Sequence, residues 1–204
     1  MTIVPSNASF IVLRNDAPRV IALCGAPESG KTHVQKILER RYGAASIDDG
    51  AIIRRGVMAL YNLTWEQVST QHGKQSMIPV PGGELIEIRN LLGKLGNHLE
   101  ALHGDSFIPR VALQEARERF GPDRVLSFGS VRRNQASHYA GAEPSVCIEV
   151  VREGAVITRE FDSYDRSFID IVIENPWRPG DDPDAAEAAL EAEIARKIDP
   201  LMFA

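Results

Sequence analysis

Eight consecutive residues, Gly25-Ala26-Pro27-Glu28-Ser29-Gly30-Lys31-Thr32, match the phosphate-binding pattern G-x-x-x-x-G-K-[ST] in full. Each type has a physical reason to be there. Gly25 and Gly30 permit backbone angles that turn successive N–H groups into one anion-binding nest. A helix beginning beside Lys31 and His33 adds the positive end of its dipole. The Lys31 ammonium can reach the β- and γ-phosphates, and the Thr32 hydroxyl can ligate Mg²⁺. The expected ligand is therefore a nucleoside triphosphate with Mg²⁺, held by residues 25–33. The bland alternative, a plain glycine-rich turn, needs neither the lysine nor the threonine.

The loop alone does not separate nucleotide kinases from GTPases or motor ATPases. A switch GTPase normally carries an Asn-Lys-x-Asp string to read guanine, and the chain has none. A motor ATPase normally ends a neighbouring strand in an acid that holds the metal. Here the corresponding run reads Val125-Leu-Ser-Phe-Gly-Ser130, with no acid. Small kinases use looser metal ligation, so this pattern favours them.

The elements that must position such a loop are visible as short apolar runs separated by helical patterns. The runs are Arg19–Cys24, Ala45–Ile47, Arg124–Phe128, Ser145–Val151 and Phe168–Ile173. Continuous apolar runs suit strands buried on both faces, and their alternation with helices predicts an α/β, three-layer fold around a mostly parallel five-stranded sheet. The run His33–Arg40 follows the loop as a helix. A second helix is expected from about Glu84 to Leu102, with Leu85, Ile88, Leu92, Leu95, Leu99 and Leu102 along one face. A third opens with Asp182 as N-cap and Pro183 in its first turn, carries the stripe Leu190, Ile194, Ile198, and pairs Glu193 with Lys197. Residues 50–122 form a long, mostly helical stretch. Within it, Gly73–Gly83 is rich in Gly and Pro without periodicity, and is expected to be a mobile functional loop or a disordered connection.

Composition sets the outer bounds. At ~150 residues per domain, 204 residues suggest one domain, 1–204, with room for an inserted segment. Lys+Arg 23 against Asp+Glu 28 gives a net charge of −5, so no general basic field exists to hold polyanions, although a local basic groove does not conflict with it. Hydrophobic residues at 44% support a real core and exclude disordered and fibrous classes. No apolar run approaches the ~18 residues of a membrane span, and no secretory signal is recognisable, so a cytoplasmic protein without membrane partners is expected. Cys24 and Cys147 lie in buried-strand runs and read as reduced core thiols rather than a disulfide or metal pair. The five His show no ligand spacing.

Beyond the phosphate loop, several segments resemble the deoxynucleoside monophosphate kinases of tailed bacteriophages, within the wider nucleoside monophosphate kinase group. Ile52–Arg55 through Asn62-Leu-Thr64 is similar to that family's first acceptor-side helix. Arg89–Asn97 resembles its Arg-x-Leu-Leu-Gln-x-Leu-Gly-Thr stretch, Ser130–Ala136 its Asp-Val-Arg-x-x-Asn-Glu-Ala segment, and Asp170–Asn175 its closing strand. Two departures stand out: Ser130 replaces the family's Asp, and Asn97–Ala101 lacks its acceptor-side Arg.

The resemblance implies an enzyme that transfers the γ-phosphate of Mg·ATP to a small-molecule acceptor, a pyrimidine deoxynucleoside 5′-monophosphate. It implies residues 50–122 as the acceptor-binding segment and 152–166 as a lid, with host cytoplasm as location if phage-encoded. Related phage kinases phosphorylate 5-hydroxymethyluracil within DNA, and this is the second reading. A catalytically decayed nucleotide-binding module is the third. The homodimer question is open.

Phosphoryl transfer needs positioning and positive charge more than covalent chemistry. Lys31, Arg132, Arg133, Asp49 and Arg159 are the candidate catalytic residues. Asp48, Asp49, Arg54, Arg89, Asp105 and Arg132 are the candidate acceptor contacts, and Thr32 is the candidate metal ligand. In the lid that the resemblance implies, Arg159 and Arg166 are expected to close over phosphates. Helix capping for the aspartates and solvated surface charge for the arginines are the competing explanations.

Overall fold

The computed structural model describes the backbone of residues 2–5 and 10–203, with side chains over 13–203. Two short strands, β1 (Thr2–Pro5) and β2 (Phe10–Leu13), pair antiparallel ahead of the first buried run. The chain then divides into two compact units: residues 1–48 with 113–204, and residues 49–112.

The larger unit is built on five parallel strands. They are β3 (Val20–Cys24), β4 (Ala45–Ile47), β7 (Leu126–Phe128), β8 (Ser145–Arg152) and β9 (Ile171–Asn175), in the spatial order β4-β7-β3-β8-β9. Every pairing is parallel. The five predicted runs are thus the five strands, although the last lies two to three residues later than its hydrophobicity indicated. The two-sided burial of β3, with all five residues buried, explains why its run has no polar alternation.

Helices α1 (Lys31–Tyr42) and α8 (Pro183–Met202) cover one face. Val34, Ile37 and Leu38 of α1 and Leu190, Ile194 and Ile198 of α8 join Ile21, Leu23, Ile148 and Val150 in one cluster. Each fully buried Leu or Ile there contributes roughly 1.5–3 kcal/mol. Asp182 caps α8 through the Asp184 N–H, and Glu193 meets Lys197 at 2.6 Å, as the sequence predicts. Helix α7 (Gln135–Ala142) lies on the other face, where Tyr139 stacks on Phe128 with centroids 4.3 Å apart. The result is a three-layer α/β fold of the kind that carries phosphate-binding loops. Helix α6 (Phe107–Phe120) runs from one unit into the other.

The smaller unit holds α2 (Ala51–Tyr61), α3 (Trp65–Ser69), α4 (Gln71–Gln75) and α5 (Ile88–His103) around Val57, Val68, Ile88 and Leu91. Gly56 and Gly96 let α2 and α5 approach closely. A Cβ at Gly56 would lie 2.9 Å from Leu95, and one at Gly96 would lie 3.1 Å from Ile53. Two expectations are corrected here. Residues 73–83 are no structureless loop: Gln71–Gln75 is helical, and β5 (Met77–Pro79) pairs with β6 (Leu85–Glu87) as a hairpin. Ile78 opposes Ile86, and both pack on the unit's core. Three-residue strands are too short to print an alternation. The same hairpin takes Leu85 out of the expected helix, which starts at Ile88 and leaves Leu85 and Leu102 exposed.

Candidate phosphate-binding site

The phosphate-binding pattern forms the connection between β3 and α1, at the carboxyl edge of the central strand. In this strand order the chain moves outward from β3 on one side and later returns to its other side, and ligands of open parallel sheets bind at such a reversal. Gly25 and Gly30 have φ of 143° and 101°, values that favour glycine. Neither has room for a side chain. A Cβ at Gly25 would stand 2.4 Å from the Val150 carbonyl, and one at Gly30 would stand 2.2 Å from Asn175 Nδ2. Between them Glu28 also adopts φ of 65°, a left-handed conformation costing roughly 1–2 kcal/mol outside glycine. The loop is therefore held in shape by its surroundings.

Asn175, the last residue of β9, supplies much of that support. Its Nδ2 donates to the Ser29 carbonyl at 2.9 Å, and its Oδ1 accepts from Trp177 N–H at 3.2 Å. Gly30 caps α1 without offering a side chain, which leaves the first turn free of a competing acceptor. The Lys31 ammonium folds back onto the loop, donating to the Gly25 and Ala26 carbonyls at 2.7 and 2.8 Å. The Ser29 hydroxyl is buried and has no hydrogen-bond partner among the described residues. Thr32 and His33 are exposed on the first turn of α1, and the His33 ring lies 6.0 Å from that of Trp177.

The strands flanking β3 differ sharply. At the end of β7, Gly129 has no space for a side chain, because Gln35 of α1 lies where its Cβ would be, at 2.3 Å. Gln35 donates to the Ser127 and Ile47 carbonyls, closing the ends of β7 and β4. A buried carboxylate stands on β8: Glu149 is opposite Cys24 in the register and 3% exposed. It accepts from the Tyr164 hydroxyl at 2.6 Å and from Arg166 at 2.6 Å. Burial, reinforced by the Glu149 contact, pushes the Tyr164 hydroxyl well above the ordinary tyrosine range, so it remains a donor.

Arg132 and Arg133 follow β7. Arg132 pairs with the buried Asp162 at 3.0 Å and donates to the Phe161 carbonyl at 3.1 Å. The Arg132 and Arg159 guanidinium groups lie 5.8 and 5.9 Å from the Phe161 ring. Arg133 has φ of 47°; its N–H donates to Ser163 and its carbonyl accepts from Asp165, both at 2.7 Å. Residues 159–166 are thus tied to the sheet edge by backbone bonds, an ion pair and Glu149. The stretch expected to be a lid is anchored over its second half, and in its first half Arg178 pairs with Glu153 at 2.8 Å.

The structure therefore places Gly25–Gly30 in one loop that runs into Lys31–His33 of α1, and gathers Arg132 and Arg159 about the Phe161 ring, with the Arg133 backbone bonded to residues 163 and 165, within the larger unit. Asp48 ends that unit at the turn after β4. Asp49, buried, begins the smaller unit, which also holds Arg54, Arg89 and Asp105. Arg54 Nε donates to the Val68 carbonyl at 3.3 Å, and Arg89 bonds the Gln71 side chain, so both guanidinium groups brace that unit's own helices. Glu149, Asn175, Trp177 and Gln35 were missed from the sequence. Glu149 did leave a signal, a charged residue inside the apolar run Val146–Val151. Among the described residues no helix is long and apolar enough to cross a membrane, and no cluster of three or more His, Cys, Asp or Glu is arranged to hold a metal.

No protein-family model matches the chain, and no curated protein matches it. Among solved structures it is similar to TT1252 from Thermus thermophilus, with 18% identity over 89% of this chain and 98% of that chain and a TM-score of 0.46.

Proposed function

We propose that this chain is a P-loop phosphotransferase that moves the γ-phosphate of Mg·ATP to a pyrimidine deoxynucleoside 5′-monophosphate, in the manner of the phage kinases it resembles. One observation carries the reading: the complete G-x-x-x-x-G-K-T loop takes up a cradle at the carboxyl edge of β3, with positive φ at residues 25, 28 and 30. The cradle fits a polyphosphate. Two positions exclude a Cβ, a buried Ser29 hydroxyl has no partner among the described residues, and a lysine rests on loop carbonyls it can exchange for phosphate oxygens.

In this reading, the loop N–H groups and Lys31 hold the β- and γ-phosphates, and Thr32 holds Mg²⁺, which when bound neutralises developing charge on the transferring group. Arg132, paired through Asp162, presents a planar fork suited to phosphate oxygens, with Arg159 beside it. Preorganised positive charge of this kind is what phosphoryl transfer requires of a protein. His33 and Trp177 offer ring surfaces next to the loop for the nucleoside. The smaller unit would carry the acceptor.

Calorimetric titration with Mg·ATP tests the reading. Wild-type protein should bind, and Lys31→Ala should lose at least about tenfold in affinity, about 1.4 kcal/mol. A folded wild-type protein with no heat of binding would remove the proposal.

A further inference from the structure

Cys24 and Cys147 are separated by 123 positions, yet their sulfurs lie 3.6 Å apart on adjacent strands, and neither is in a disulfide. Cys24 is the residue immediately before Gly25. Cys147 lines an open groove of about 540 Å³, together with Ala136, Ala140, Ser145, Phe168 and Asp170. Both thiols are buried, Cys24 fully and Cys147 at 6% exposure beneath this groove, so the groove is the route by which a small oxidant would enter. We propose that this pair is a peroxide-sensitive modification site whose disulfide form loosens the phosphate-binding loop.

The chemistry balances without a cofactor. The Cys147 thiolate attacks one oxygen of hydrogen peroxide, the O–O bond breaks, and hydroxide leaves, giving a sulfenic acid. Cys24 then attacks that sulfur, forming the S–S bond and releasing water. Two thiols are oxidised by two electrons, and one peroxide becomes two waters. A dithiol reductant returns the pair by exchange.

Bond formation must bring the sulfurs from 3.6 Å to about 2.05 Å. The Cys147 backbone cannot yield easily. Its N–H donates to Asp170 Oδ2 at 2.7 Å, and its carbonyl accepts from the Asp170 N–H at 2.9 Å. Cys24, paired opposite Glu149, is the last residue of β3, whereas Cys147 lies inside β8, so the displacement falls mainly on Cys24 and the loop that follows. That loop has little slack, since Gly25 already lies against the Val150 carbonyl. An arrangement fitted this closely answers a small shift at its root by opening rather than by smooth deformation.

The test uses the full chain with hydrogen peroxide, followed by intact mass, thiol titration and peptide mapping. The expected result is a loss of two hydrogens, no titratable thiol, and a peptide joining Cys24 to Cys147. Hydrogen exchange in residues 25–33 should rise about tenfold and return to its starting value with dithiothreitol. Cys24→Ser should stop at a Cys147 sulfenic acid trapped by dimedone, and Cys147→Ser should form neither product. Cys24→Ala and Cys147→Ala serve if the serine variants do not fold. Peroxide treatment that leaves both thiols intact in the folded protein overturns the proposal, as does a cross-link that leaves exchange in residues 25–33 unchanged. The exchange readout involves no nucleotide, so a reduced protein that fails to bind Mg·ATP counts against the phosphotransferase reading alone.

Discussion

Gly30 and Asn175 show how much of the candidate site depends on single atoms. A methyl group at residue 30 would combine a φ of 101° with a Cβ 2.2 Å from Asn175 Nδ2. Gly30→Ala should therefore cost roughly 1–3 kcal/mol, read as a lower denaturation midpoint. Asn175→Ala removes the clashing amide, so the double variant should be less destabilised than the sum of the singles. Simple additivity would mean the loop has more room than the geometry gives it. Arg132 supports a second prediction. Its half-exposed guanidinium meets the Asp162 carboxylate and the Phe161 carbonyl through one nitrogen, Nη1. A lysine there keeps the charge and loses the fork. Arg132→Lys should lower acceptor-dependent transfer about tenfold or more while leaving Mg·ATP affinity near wild type. Equal losses in both would instead mean that Arg132 shapes the nucleotide site. At this scale the sequence was legible where a loop's shape is written in consecutive residues, as in Gly25–Thr32. It was silent where a role comes from strands distant in the chain, as with Asn175 on the Ser29 carbonyl, or Cys147 beside Cys24.

Helices α1 and α8 are joined by a polar clamp at the end of their shared apolar face. Asp199 of α8 accepts from Arg41 at 2.5 Å and from the Tyr42 hydroxyl at 2.6 Å. The Arg41 contact, aided by Tyr42, holds the Asp199 carboxyl below its ordinary value, against the opposing effect of burial. A carboxylate whose folded pKa is depressed contributes stability above its unfolded value, near ~3.9, and loses that contribution as pH falls through the folded value. Asp199→Asn should lower Tm at neutral pH and narrow its gap from wild type as the medium is acidified below about pH 4. A Tm gap that stays constant across that range would show that the clamp contributes through packing alone. The elements themselves were read well where burial is two-sided or a helix is long, as in β3, β8 and α8. The hairpin β5–β6 was not, because three-residue strands bearing Pro79 and a Gly82-Gly83 turn leave no period to read. The anchoring of residues 159–166 was equally invisible, since it depends on Glu149 and Arg133 meeting them from other parts of the chain.

For the whole molecule, the net charge of −5 bears on the acceptor class. A free monophosphate meets few positive groups, so its apparent affinity should weaken only modestly with salt. A duplex DNA acceptor would release condensed counterions, giving a slope of log affinity against log salt of about −0.9 per phosphate contacted. The account predicts the shallow response. The smaller unit, residues 49–112, was anticipated as an inserted segment of 50–122, and its far edge went unmarked because it falls inside α6. The most direct measurement of the central claim is transfer of label from γ-labelled Mg·ATP, offered together with free pyrimidine deoxynucleoside monophosphates and hydroxymethyluracil-containing DNA. Label should appear in the free monophosphate and fall by about 10²-fold or more in Lys31→Ala, whose fold should be unchanged. Label confined to DNA, or transfer unaltered by Lys31→Ala, would contradict the account.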